Sequence, residues 1–303
     1  MKEILELRIN YQYAHLLFNE DEGVNLGDPL FGPPSVKVVK VDTSTPLWEQ
    51  VKKTCDYVYE TYKKTFYYSW NFKRIYTTKE MAEAKLFKME VRKCFEPAGE
   101  ECGTEYDEQS ACPICGTGRK QVSPLKLKKG RFLNKRDVAR TLSYEIVVSK
   151  RFVEVVQKND IKGMTFGPVY LNNKLSEDCF QLMMEGEHLE VDEQTKFGGE
   201  PYDIYPDEGW AEGCPKGDHL GLNILSEAYV KASEALSQYD FLLSRQTYGV
   251  KKSLSPNSLF YPQHLLFCSP RLYHVIKDNG LKGFDFEVAH VVENIDQLSF
   301  HKL

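Results

Sequence analysis

Val148–Val169 reads VSKRFVEVVQKNDIKGMTFGPV, and Cys268–Ala289 reads CSPRLYHVIKDNGLKGFDFEVA. The two stretches align without a gap. Ser149 falls on Ser269, Arg151 on Arg271, Val155 on Val275 and Asn159 on Asn279. Lys162-Gly163 falls on Lys282-Gly283, and Phe166 on Phe286. Each copy reads as strand end, helix, tight turn and strand, and a match of this length marks an internal repeat. Phe152, Val155 and Val156 lie at helical spacing, as do Leu272, Val275 and Ile276, so each copy offers one apolar helix face. The Asn-x-[IL]-Lys-Gly segment stops the helix, with Asn or Gly available for a left-handed turn.

Ser149 and Ser269 stand where a helix N-cap belongs, and a cap accounts for them. A nucleophile reading needs a partner His or Asp at a matching offset, or a G-x-S-x-G elbow, and the sequence has neither. No catalytic residue is assigned. Arg151 and Arg271 are candidates for gripping an anion at the helix N-terminus; the alternative is an exposed first-turn Arg paired with a nearby acid.

Working outward, the 303 residues suffice for a sizeable core in two lobes. Hydrophobic residues make up 42% and charged residues 27%, ordinary for a globular chain, and the net charge of −5 gives no general attraction to nucleic acid or anionic membrane. No apolar run reaches a membrane span, and the opening MKEILELRIN has no apolar leader core. Eight cysteines without a secretion signal predict reduced thiols, a cytoplasmic location and a possible metal site. The pattern predicts an α+β fold of mixed sheets with short helices. A small α+β unit is expected over residues 1–95 and a larger two-repeat lobe over 96–303. Within these, Trp48–Phe66, Asn134–Leu142 and Leu225–Leu236 read as helices, and Thr77 with Glu80 as a capping box.

Cys112-Pro-Ile-Cys115-Gly has zinc-knuckle spelling: two thiolates on a tight turn that suit tetrahedral Zn²⁺. The second Cys-Pro turn, Cys214-Pro-Lys-Gly-Asp-His219, supplies the preferred other half, so Cys112, Cys115, Cys214 and His219 are the expected structural zinc ligands. Cys94 and Cys102 are the alternative second half. A redox pair or inert cysteines would also carry this spelling.

Between residues 119 and 140 nine Lys or Arg face one acid, Asp137. Beside a zinc knuckle this suggests a nucleic-acid groove; the plainer reading is a solvated strand face. The acidic tracts 96–108 and 185–212 are loops that could meet a basic protein, with Tyr202, Tyr205, Trp210 and Glu208 as candidate anchors.

Gly99–Gln121 (GEECGTEYDEQSACPICGTGRKQ), then KRDVARTLSYEIVVSKR, then the Lys-Gly-x-x-Phe strand resemble bacterial proteins carrying a C-x-x-C-G motif. Some similar proteins are immunity proteins of polymorphic-toxin systems, including the double-C-x-x-C-G group. The resemblance spans about residues 80–290. It implies a cytosolic binding protein that neutralises a toxin by direct contact. The chain has one clean motif, since Cys214 lacks a second cysteine in its turn. The leading expectation is therefore a non-enzymatic immunity protein. The alternative is a zinc-ribbon nucleic-acid-binding protein using residues 119–140.

Overall fold

The structure is a computed structural model, and it describes residues 1–17, 36–113, 116–130, 132–184, 188–204, 219–249 and 261–293. It is mixed α+β and mostly strand, as the pattern predicts. The chain forms two compact units. The first comprises Met1–Ala82 with Glu200–Asp203, and the second the remainder.

In the first unit β1 (Lys2–Asn10) lies between β2 (Val36–Asp42) and β3 (Tyr67–Ile75), antiparallel to both. Leu5, Leu7 and Ile9 alternate inward along β1 and are fully buried. Helix α1 (Pro46–Tyr62) starts at a proline, which already has the helical φ, and buries Val51 and Val58 in the same core. It stops at Lys63, which turns left-handed. The unit ends in α2 (Thr78–Glu83), where the Thr77 and Glu80 side chains reciprocally cap each other's backbone N–H.

In the second unit β4 (Leu86–Val91) is followed by β5 (Cys94–Phe95), β6 (Tyr106–Asp107), β7 (Lys120–Gln121), β8 (Leu125–Leu127), β9 (Val138–Thr141) and β10 (Ile146–Ser149). Helix α3 (Lys150–Lys158), β11 (Met164–Leu171) and β12 (Lys174–Met184) come next. Then come β13 (His188–Leu189), β14 (Phe197–Glu200), β15 (Asp203–Ile204), β16 (His219–Leu220) and β17 (Asn223–Ile224), of which Glu200 and Asp203 belong to the first unit. The chain closes with β18 (Ala228–Lys231), α4 (Ala235–Gln238), β19 (Phe241–Gly249), β20 (Gln263–Cys268), α5 (Pro270–Asp278) and β21 (Phe284–Val292).

Two large sheets result. One has the order β5-β9-β10-β12-β11-β8; the other has the order β13-β19-β20-β4-β21-β18, with β16 also on β19. Strands β10 and β11 flank α3 and share a sheet, with β12 antiparallel between them. Strands β20 and β21 flank α5 in the same way, with β4 antiparallel between them. The short connection is thus accommodated by stepping over one strand.

Three expectations change. Leu86–Val91, read as part of the first unit, is a buried strand in the middle of the second unit's sheet. Asn134–Leu142 and Leu225–Leu236 are not helices. Their cores Val138–Thr141 and Ala228–Lys231 are strands, with burial alternating along Ala228–Lys231. Pairing with β10 and β21 outweighs their local helix propensity.

Candidate functional site

Both repeated serines cap their helices. Ser149 Oγ accepts from Phe152 N, and Ser269 Oγ from Leu272 N, each at 3.1 Å. Each hydroxyl also donates to a buried aspartate. Ser149 gives its proton to Asp137 Oδ1 at 2.8 Å, and Ser269 to Asp240 Oδ1 at 2.7 Å. The second carboxylate oxygen then reaches across to the other repeat. Asp137 Oδ2 accepts from Lys282 N at 2.8 Å, and Asp240 Oδ2 from Lys162 N at 3.0 Å.

The arginines complete this crossed latch. Arg271 Nη1 lies 3.2 Å from Asp240, and Arg151 Nη1 lies 3.6 Å from Asp137. Arg271 also donates to the Asn159 carbonyl and Arg151 to the Asn279 carbonyl, so each guanidinium neutralises the C-terminal end of the other helix. Both proposed anion-gripping arginines are therefore engaged by the protein's own carboxylates and carbonyls. Gly163 and Gly283 are needed where the turns close. Both have positive φ, and a Cβ would stand 2.2 Å from the Phe241 carbonyl oxygen or 2.9 Å from that of Val138.

The zinc expectation is overturned. Among the described residues no three His, Cys, Asp or Glu converge as a metal site. Cys112 is buried in a turn whose ends are tied by Cys112 N to the Thr117 carbonyl and Gly116 N to the Cys112 carbonyl. His219 stacks its ring on Phe197, centroids 3.9 Å apart, with its backbone paired to Tyr248. The alternative cysteines fare no better. Cys94 lies 3.6 Å from the Arg140 guanidinium, and burial raises the Cys102 thiol, which opposes the thiolate that zinc needs. Cys115 and Cys214 lie outside the described residues. The spelling supplies ligand types, but the folded backbone does not bring a set together.

Of the candidate anchors, Tyr205, Glu208 and Trp210 lie outside the described residues. Tyr202 is half-buried in the first unit, with its ring 4.2 Å from that of Trp48. Nearby, Tyr67 donates to Glu200 at 2.6 Å, and burial pushes the Cys55 thiol up to about 12, which makes it unreactive.

The feature that the sequence reading missed is a cleft of about 640 Å³ in the second unit, lined by strands of both large sheets. Its polar groups hold one another in place. Arg119 lies between two rings, 3.9 Å from the centroid of Tyr106 and 3.6 Å from that of Tyr261, and pairs with Glu100 at 2.9 Å. Arg140 stacks on Tyr144 at 4.1 Å and donates to the carbonyls of Val91 and Thr141. Gln121 and Gln181 exchange amide hydrogen bonds at 2.9 and 2.7 Å. Glu145 accepts from the Tyr106 hydroxyl at 2.7 Å, from Gly99 N and from the Thr141 hydroxyl. Burial raises its carboxyl above the usual range, against the opposing pull of these donors and of Arg119. Lys88, buried at the cleft wall, is bracketed by Glu90 at 3.0 Å and Glu287 at 2.9 Å, which raise its ammonium despite the cost of burial.

Two cations of the 119–140 run, Arg119 and Arg140, thus serve the cleft, whereas in PLKLKK Leu125 and Leu127 are buried and Lys128 and Lys129 exposed, as a solvated strand face requires. A signal existed in the sequence. Tyr106 and Tyr144 bracket Arg119 and Arg140 in the chain, but their convergence depends on strand pairings that the sequence does not spell. No helix among the described residues is long and apolar enough to cross a membrane. No family model, curated protein or solved structure matches the chain.

Proposed function

We propose that the chain is a non-enzymatic protein-binding protein of the cytoplasm, an immunity protein that neutralises a cognate bacterial toxin by covering it. The resemblance around the cysteine motif motivates this reading, and the cleft of the second unit is the observation that carries it. Its arginines lie on tyrosine faces and its acids and amides are mutually hydrogen-bonded, so the surface is held in one arrangement before any partner arrives. Preorganisation of this kind favours binding, because little side-chain freedom is left to lose. The same reading takes α3 and α5, with their flanking strands, as two copies of one β-α-β unit. The reciprocity of the aspartate and arginine contacts supports it, since each copy supplies what the other lacks.

Co-expression with any toxin found encoded beside its gene tests the proposal. The expected results are a 1:1 complex on co-purification and toxin-sensitive cells when the gene is deleted. No complex and no sensitisation would end this reading.

A further inference from the structure

The second unit carries its own internal control. Equivalence between its halves extends far beyond the two helices. Met89 pairs with Phe286 and Leu266, as Leu182 pairs with Phe166 and Ile146. Leu125 lies parallel to Val169, as Ala228 does to Ala289. Tyr106 pairs with Gln121, as Phe197 does with Ile224. Cys94 lies parallel to Arg140, as His188 does to Leu243. Side chains recur as well. Thr104 Oγ1 accepts from Lys126 N and Thr195 Oγ1 from Tyr229 N; Ser123 Oγ accepts from Glu105 N and Ser226 Oγ from Lys196 N. Each half begins with a strand, β4 or β12, that is inserted into the sheet of the other half.

At five positions the chemistry diverges: three named above, and Arg119 and Glu145, which fall on Leu222 and Leu265 by counting from Gln121 on Ile224 and from Ile146 on Leu266. The first half has Tyr106, Arg119, Gln121, Arg140 and Glu145. The second has Phe197, Leu222, Ile224, Leu243 and Leu265, four of them buried and Ile224 packed against the buried core. The framework therefore closes with apolar residues at every one of these places. Burying charge there costs desolvation that the apolar half does not incur, so the polar set is not a requirement of the fold. Its groups line the cleft, with Leu243 and Leu265 of the apolar set on the facing wall. Arg140 is part-buried, donates to two carbonyls and a thiol and lies on a ring, and none of these contacts is to a carboxylate.

We propose that this cleft binds a carboxylate, received by Arg140 with Arg119 and Gln121 beside it. A planar guanidinium matches a carboxylate's two oxygens. Arg140 is the receiving group because Arg119 is already paired with Glu100. The carboxylate comes either from a free organic acid or from an acidic side chain of a protein. The inference goes beyond the toxin-neutralising reading and does not rest on it.

Calorimetric titration of the full chain with succinate, with a short Glu-rich peptide and with inorganic phosphate tests it. Binding of succinate identifies a free acid, and binding of the peptide alone identifies a protein side chain. In either case Arg140→Leu weakens binding by about tenfold or more, the worth of one charge-assisted contact. Gln121→Ile, which leaves the arginines in place, weakens it less. The variant carrying all five residues of the apolar half folds, melts no lower than the parent and binds neither carboxylate. Absence of binding to both carboxylates, a preference for phosphate, binding that survives Arg140→Leu, or failure of the five-residue variant to fold would each overturn the proposal.

Discussion

On the reading proposed above, the two halves of the second unit solve one folding problem with two chemistries. At the latch they are the same: aspartate, capping serine, first-turn arginine and Lys-Gly turn recur with the same partners. At the cleft they part, with Tyr, Arg and Glu in one half where the other has Phe and Leu. What is shared marks what the architecture needs. What differs marks what it can dispense with, and there a binding role is the economical reading.

The largest effect is expected where the halves agree. Asp137→Ala or Asp240→Ala removes a buried carboxylate that serves a cap, a turn N–H and an arginine at once. Each should cost about 3 kcal/mol in urea unfolding, the scale for breaking a buried charged pair. Similar losses at the two sites support the crossed latch, whereas a loss at only one would break the equivalence. Next come Gly163→Ala and Gly283→Ala, at about 2 kcal/mol or more because a Cβ meets backbone at positive φ. Gly163 should be the worse, since its clash is at 2.2 Å against 2.9 Å. Ser149→Ala and Ser269→Ala should each cost about 1 kcal/mol, the worth of a helix cap.

The smallest effect concerns pH and sharpens the difference between the halves. Glu145 has a raised folded-state pKa, so its contribution to stability is fully present below the ordinary glutamate value and is lost as pH rises through the folded one. Glu145→Leu, which copies Leu265, should remove that dependence and leave the parent relatively less stable at neutral pH. Urea midpoints measured from pH 4 to 8 would show the two curves converging toward the acid end.

How much of this the sequence disclosed depends on whether the signal was local. The Ser-x-Arg caps, the apolar helix faces and the Thr77–Glu80 box are settled within a few residues, and they stand as read. The sequence match covers only the helices and the strand starts beside them. Elsewhere the proposed equivalence lies in backbone register, with Tyr106 facing Gln121 as Phe197 faces Ile224, and the side chains differ. Val138–Thr141 and Ala228–Lys231 became strands because neighbours from distant sequence pair with them. The zinc expectation failed for the opposite reason. Ligand types at the right local spacing are insufficient when the described Cys112 and His219 are held in separate turn and stacking contacts.

The most direct measurement is an amide NMR titration of the full chain with succinate and with the Glu-rich peptide. At least one of them should shift Arg119, Gln121 and Arg140 while leaving Leu222 and Ile224, the equivalents that lie outside the cleft, in place. Equal shifts at both sets, or none at either with both probes, would contradict the assignment of binding to one half and framework to the other.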